Sequence, residues 1–158
     1  MNKITRKVVF VIKVESFELD HTKVKAPYVR KAAVLKGEKG DIVEKYDIRL
    51  LQPNESELPT SALHTLEHLF AVYFREELDG IIDVSPMGCR TGFYLVKFGE
   101  SSEEEVKNKL INVLKKVLTT EEVPAANPVQ CGNFRDHSLF SAREYAKMIL
   151  EKFEYTQN

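Results

Sequence analysis

The segment His64-Thr65-Leu66-Glu67-His68 constrains the fold most, because it lies within residues 63–73, where apolar residues recur with helical spacing. Residues three and four apart share one face of an α-helix. His64 and His68 are therefore expected to point the same way, with Glu67 beside them. Two imidazoles at this spacing can bind one divalent metal and leave a carboxylate nearby to move protons. The motif predicts a metal site without naming a reaction; the alternative is two surface histidines and a solvated glutamate.

A catalytic metal typically takes three protein ligands and keeps one position for water or substrate. Cys131 is the strongest candidate for the third ligand. It lies in a loop and precedes Gly132, where the backbone can approach a metal closely. The alternative is that Cys131 is a small buried apolar residue, as many single cysteines are. The residues alone leave both interpretations open.

Cys89 is the second cysteine that could carry chemistry. It lies in a turn rich in glycine and proline, Ser85-Pro86-Met87-Gly88-Cys89-Arg90-Thr91-Gly92. The neighbouring Arg90 could favour the thiolate, which is the reactive form of cysteine. The alternative is an inert packing residue. The sequence indicates no role for four further polar residues unless another observation places them together. They are His21, His137, Ser16 and Arg49.

Length and charge narrow the class of protein. A chain of 158 residues is expected to form a single domain, residues 1–158, with a sizeable core. The net charge of −1 gives no indication of binding to nucleic acid or to an anionic membrane. No apolar run is long enough to span a bilayer, and the amino terminus does not resemble a signal peptide. We therefore expect a cytoplasmic protein whose two cysteines remain thiols.

Hydrophobic patterning predicts an α+β fold, an antiparallel sheet covered on one side by about three α-helices. Strands are expected at residues 8–14, 29–35, 41–50, 81–84 and 92–98. The first helix should start near Ser61, with Thr60 as its N-cap and Gly80 as its stop. A capping box at residues 102–105 should open the second helix, residues 123–133 should be a loop, and residues 138–153 the last helix.

Several segments in order resemble one family closely. They are Glu15-Ser16-Phe17-Glu18-Leu19-Asp20-His21, Tyr46-Asp47-Ile48-Arg49, Gln52-Pro53-Asn54, the His64–His68 motif, Ile81-Ile82-Asp83-Val84-Ser85-Pro86-Met87-Gly88-Cys89-Arg90-Thr91-Gly92, and Gln130-Cys131-Gly132. This set is similar to S-ribosylhomocysteine lyases, which produce the precursor of autoinducer-2. The resemblance extends from about residue 14 to residue 150, and residues 1–14 form a longer amino-terminal extension than the family leads us to expect.

The resemblance implies a homodimer with active sites at the subunit interface. It implies that His64, His68 and Cys131 bind Fe²⁺, which Zn²⁺ or Co²⁺ can replace, one ion per subunit. Glu67 and Cys89 would be the acid/base pair. The residues implied near the substrate, some reaching across the dimer, are Ser16, His21, Arg49 and Asp83.

The implied reaction cleaves S-ribosyl-L-homocysteine by two carbonyl migrations along the ribose and β-elimination of the thioether. The products would be L-homocysteine and 4,5-dihydroxy-2,3-pentanedione. Two rivals differ in class. A metallopeptidase built on H-x-x-E-H, the order found in inverzincins, would not need Cys89. A binding module with a structural metal would have a closed four-ligand site, with His137 as the fourth ligand.

Overall fold

The computed structural model describes residues 12–155, and the backbone forms four strands and four helices in this range. In chain order they are α1 (Glu15–Glu18), β1 (Tyr28–Lys36), β2 (Ile42–Arg49), α2 (Thr60–Glu77), β3 (Ile81–Pro86), β4 (Gly92–Phe98), α3 (Glu103–Thr119) and α4 (Leu139–Tyr155). The α+β prediction is confirmed.

The four strands form one sheet in the order β1-β2-β4-β3, and every neighbouring pair is antiparallel. Strand β2 is therefore central, with Ile48 opposite both Val29 of β1 and Phe93 of β4. Gly92 lies opposite Arg49, where the two backbones come so close that an added Cβ would lie 2.2 Å from the carbonyl oxygen of Ile48. Only glycine fits there without moving a strand.

One face of the sheet and the three long helices share a single apolar core. Successive side chains of a strand point to opposite faces. Tyr46 and Ile48 of β2 accordingly enter this core, together with Phe93 and Leu95 of β4. Helix α3 contributes the apolar face that its spacing predicts, namely Val106, Leu110, Val113, Leu114 and Val117.

The opposite face of β2 is also shielded from solvent near the end of the strand, although it carries charged side chains there. Asp47 is 0% exposed and Arg49 is 2% exposed. A buried charge is costly unless it is paired and hydrogen-bonded. The two buried charges therefore require partners on this face of the sheet, which is not simply exposed to solvent.

Two details at the ends of α2 differ from the prediction. Thr60 is the first helical residue and not the N-cap; Pro59 occupies the cap position, with no side-chain cap bond, and its carbonyl accepts from the amide of Leu63 at 2.9 Å. The helix ends at Glu77, and Gly80 follows in a left-handed turn (φ 74°) that leads into β3. At α3, by contrast, the predicted cap is confirmed, because Ser102 Oγ accepts from the amide of Glu105.

The strand predicted at residues 8–14 lies mostly outside the described residues. Residues 12–14 precede α1 and are not in a strand. The loop predicted at residues 123–133 is confirmed, since it contains no helix or strand. None of the helices in residues 12–155 combines the length and apolar character that crossing a membrane requires.

Candidate active site

Four side chains that can bind a metal meet between α2 and the loop that joins α3 to α4. They are His64 and His68 of α2 with Cys131 and His137 of the loop, and their ligand atoms all lie within 4.8 Å of one another. Cys131 Sγ lies 3.4 Å from His64 Nε2 and 3.7 Å from His137 Nε2. The structure thus brings together the three residues expected as ligands and adds His137, which the sequence suggested only as the fourth ligand of a structural site.

Hydrogen bonds orient the histidine rings of this cluster. His64 Nδ1 lies 3.0 Å from the carbonyl oxygen of Asp136, and His68 Nδ1 lies 2.7 Å from that of Pro124. A carbonyl only accepts, so each Nδ1 carries the hydrogen and each Nε2 is left with a lone pair. Metal-binding histidines typically use such a second hydrogen bond to fix the tautomer and the ring orientation. Both rings therefore fit a metal bound through Nε2.

His137 has the same tautomer for a different reason. Thr65 Oγ1 gives its hydrogen to the carbonyl of Ser61 at 2.8 Å. It therefore accepts from His137 Nδ1, which lies 3.2 Å away. Burial and the neighbouring His64 and His68 lower the pKa of His137, which favours the neutral ring. The donor set of the cluster, imidazole nitrogen and cysteine sulfur, suits a transition metal such as iron, cobalt or zinc.

The ring of His137 lies face to face with the ring of His64. Their centroids are 4.0 Å apart and the planes differ by 26°, whereas His64 and His68 meet edge to face at 81°. An imidazole binds a metal in its own ring plane, and an ion in the plane of His64 lies off the plane of a ring stacked on it. The stacking therefore disfavours binding of one ion by both His64 and His137, and the geometry suits three protein ligands better than four.

Glu67 and Asp83 line a cavity of about 290 Å³ next to the cluster. The other residues that line it are His68, Ala71, Arg75, Val84, Pro124 and Ala125. Glu67 thus lies beside His68 of the candidate metal cluster, as the helical spacing predicts. Asp83 accepts a hydrogen bond from the hydroxyl of Ser85.

Cys89, Arg49 and His21 line a second, larger cavity of about 620 Å³. The Cys89 turn is held by backbone bonds from Met87 N to Gly92 O and from Arg90 N to Met87 O, each 2.9 Å. Arg90 reaches away from the thiol, to the carbonyl of Leu58 at 3.2 Å and to Glu57 at 3.5 Å. The cation in contact with the Cys89 sulfur is Arg49, whose Nη1 lies 3.8 Å away.

Asp47 orients the guanidinium of Arg49 through two hydrogen bonds. The Nε and Nη2 of Arg49 donate to the two carboxylate oxygens of Asp47 at 3.2 and 2.9 Å, which leaves Nη1 to face Thr91 and Cys89. Burial tends to lower the pKa of Arg49, but the bond and the charge of Asp47 outweigh burial and raise it. The sequence offered a signal for this pair, since residues two apart in a strand share a face.

Ser16 lies on α1 and is not among the residues that line the two cavities. His21 donates from Nδ1 to the carbonyl of Leu19 at 2.9 Å, which leaves Nε2 for the larger cavity. The two cavities share no lining residue. In one chain, therefore, Cys89 and Arg49 open onto one cavity and Glu67 and Asp83 onto another.

Fold and site together define an α+β protein with a candidate transition-metal centre of histidine and cysteine. The family model described as S-ribosylhomocysteinase (LuxS) matches residues 14–158. The chain belongs to this family.

Relatives named S-ribosylhomocysteine lyase are similar over most of their length. The protein of Enterococcus faecalis is 60% identical over 141 residues, which cover 89% of this chain and 91% of the relative. Those of Clostridioides difficile and Clostridium botulinum are 60% and 61% identical over 140 residues, which cover 89% of this chain and 93% of each relative.

Proposed function

We propose that the protein is a metal-dependent carbon–sulfur lyase that cleaves S-ribosyl-L-homocysteine to L-homocysteine and 4,5-dihydroxy-2,3-pentanedione. One observation carries the proposal: in a chain of this family, His64, His68 and Cys131 converge at the helix face that also bears Glu67. Homocysteine recycling and formation of the autoinducer-2 precursor, and thus a part in quorum sensing, would follow in the cytoplasm.

The proposed metal is Fe²⁺, one per subunit, with Zn²⁺ or Co²⁺ able to replace it. When bound, the metal would supply a Lewis acid that polarises the carbonyl of the open-chain sugar. Stacking of His137 on His64 supports a site with three protein ligands and one free position, as a catalytic centre requires. The closed four-ligand site of a structural metal is the less suitable arrangement.

Cys89 and Glu67 are proposed to move the protons. Cys89 as thiolate would take the C2 proton of the open-chain aldehyde and return it to C1, which moves the carbonyl to C2. The same transfer from C3 to C2 moves the carbonyl to C3. Loss of the C4 proton then expels homocysteine thiolate from C5. Glu67 would exchange protons with the sugar oxygens or take the C4 proton.

We propose that the substrate is bound by Ser16, His21, Arg49 and Asp83. Arg49 and His21 line the same cavity as Cys89, and Asp83 lines the cavity of Glu67. No nucleic acid or membrane partner is proposed. Residues 1–158 are proposed to form one domain with an extension at residues 1–14, which the family match from residue 14 onward supports.

We also propose a homodimer whose active sites lie at the subunit interface. The support is the separation of the proposed acid/base pair, since Cys89 and Glu67 line cavities that share no residue. A second subunit could close the distance if the Cys89 cavity of one chain faced the Glu67 cavity of the other. In a twofold dimer this contact occurs twice, giving two equivalent sites.

The test of the reaction is thiol release from S-ribosylhomocysteine by protein purified and loaded with Fe²⁺ without oxygen. Wild type and a Glu38→Ala control, changed in the exposed turn between β1 and β2, should release thiol. Glu67→Ala and Cys89→Ala should not. Absence of release from folded, metal-loaded wild type would contradict the lyase. Peptide hydrolysis retained by Cys89→Ala would point to the metallopeptidase instead.

The test of the interface mixes the two inactive variants. A heterodimer of Glu67→Ala and Cys89→Ala has one site with both wild-type residues if the site spans two chains. Random pairing of equal amounts should then restore about a quarter of wild-type activity. If each chain held a complete site, the mixture would stay inactive after subunit exchange, which mass spectrometry of the intact dimers would verify.

A further inference from the structure

The hydroxyl of Thr91 forms a short contact with the sulfur of Cys89 that the proposed mechanism has not used. Thr91 Oγ1 lies 3.0 Å from Cys89 Sγ and only 2.8 Å from Arg49 Nη1. Thr91 is 4% exposed, and Arg49 is 2% exposed. The hydroxyl and the guanidinium are therefore shielded from solvent, whereas the side chain of Cys89 is exposed and open to a reagent.

The direction of these bonds follows from the donors available. The guanidinium of Arg49 can only donate, so Thr91 Oγ1 accepts from it. The single hydrogen of the hydroxyl is then free to point at Cys89 Sγ. Arg49 Nη1 also approaches that sulfur, at 3.8 Å. Two donors that face a sulfur stabilise its charged form, since hydrogen bonding to the charged form favours that form.

We propose that Thr91 is a positioning residue that donates its hydroxyl hydrogen to the Cys89 thiolate and so holds Cys89 in the form that removes protons from carbon. Asp47 completes the arrangement, because it takes the other end of the Arg49 guanidinium and aims Nη1 at Thr91. The effect of this hydrogen bond on catalysis rests on the proposed function. Its effect on the Cys89 thiol does not depend on that function.

The backbone of Thr91 is held independently of its hydroxyl. Its carbonyl accepts from the amides of Leu50 at 2.9 Å and Leu51 at 3.0 Å. Replacing the side chain by one of similar shape therefore leaves the Cys89 turn attached to the sheet. Thr91→Val replaces the hydroxyl by a methyl group, and Thr91→Ser keeps the hydroxyl without the methyl group, so the two variants form a matched pair.

The experiment follows alkylation of Cys89 by iodoacetamide as a function of pH in the metal-loaded protein, with the Cys89 peptide quantified by mass spectrometry. The other charged or titratable groups that line the cavity stay the same in all variants. They are His21, Arg49, Glu55, Glu57 and Arg90. A difference between Thr91→Val and Thr91→Ser therefore reports the hydroxyl.

For Thr91→Val the midpoint of the alkylation profile should move up by about one pH unit, the scale of one hydrogen bond to a charged group. Thr91→Ser should match wild type. Coincident profiles for Thr91→Val and wild type, with both folded, would overturn the proposal and leave Thr91 a structural partner of Arg49. If Thr91→Val does not fold, the smaller Thr91→Ala is compared with Thr91→Ser by the same criteria.

Thiol release measured on the same wild-type sample separates the two proposals. A shifted profile in Thr91→Val supports the role of the hydroxyl even if wild type fails to cleave S-ribosylhomocysteine. Cleavage by wild type with an unshifted Thr91→Val profile supports the lyase and refutes the role of Thr91.

Discussion

Gly92→Ala is the substitution whose consequence the structure defines most sharply. An added Cβ would lie 2.2 Å from the carbonyl oxygen of Ile48 and 3.0 Å from the Cα of Arg49. Real Cβ contacts are essentially never shorter than 3.0 Å, so the two strands must separate by about 0.8 Å. The atoms in the way belong to the backbone and cannot rotate aside as a flexible side chain would.

The expected cost is about 3 kcal/mol in the free energy of unfolding, the upper end of the range for overpacking. In a chain of this size the melting temperature should fall by about 6 to 12 °C. Gly88→Ala is the matched control, because an added Cβ there meets no atom within 4 Å. Urea unfolding of the three proteins gives the comparison.

The reactivity of Cys89 distinguishes strain between β2 and β4 from a general loss of packing. The strand register places Gly92 opposite Arg49, so a shift of β4 should also disturb the Arg49–Thr91–Cys89 contacts. Alkylation of Cys89 should therefore change in Gly92→Ala under conditions where the protein stays folded. A stability within about 0.5 kcal/mol of both wild type and Gly88→Ala would refute the reasoning.

Three further predictions concern stability. Ser102→Ala removes the side-chain cap of α3 and should lower the free energy of unfolding by about 1 kcal/mol, whereas Ser102→Asp keeps a cap and should match wild type. Equal unfolding midpoints for Ser102→Ala and wild type would contradict this prediction. Phe74 is fully buried, so Phe74→Ala should lower the free energy of unfolding by about 3 to 5 kcal/mol. A loss below about 1 kcal/mol would contradict this and show that the core closes around the cavity. Burial raises the pKa of Glu44, but bonds from Lys31, Tyr46 and the amide of Ser101 outweigh burial and lower it. The carboxylate therefore contributes stability that is full above pH 4.5 and is lost as pH falls through the lower folded value. Unfolding of Glu44→Gln should show a loss of about 2 kcal/mol at pH 7 and a shallower acid limb than wild type, and parallel limbs would contradict the role of Glu44.

Local rules predicted the four strands β1 to β4, the three long helices, and the helix face shared by His64 and His68, but not the short helix α1. Spacing of three and four residues placed His64, Glu67 and His68 together, and the apolar alternation around Ile48 predicted β2. The cap at Ser102 followed from its position before an acidic first turn. Each of these features depends on residues close together in the chain, and the structure agrees with them.

Contacts that depend on packing between distant segments were not predictable in the same way. The cation next to Cys89 is Arg49, forty residues earlier in the chain, and not the adjacent Arg90. Only the pairing of β2 with β4 brings Arg49 to the turn. The side chain of Thr60 favours the N-cap position, but Pro59 occupies it and supplies the first carbonyl of the helix.

The loop between α3 and α4 and the helix α2 hold each other at the candidate metal centre. Carbonyls of the loop orient the imidazoles of His64 and His68, and the loop also supplies Cys131, 67 residues after His64. A bound ion would thus act as a reversible cross-link that closes a long segment of chain, and such closures restrict the unfolded ensemble. Removal of the ion should release the loop ahead of the sheet, so limited proteolysis of chelated protein should cut first at residues 120–138. The candidate metal centre would then also set how readily the chain is degraded when metal is scarce.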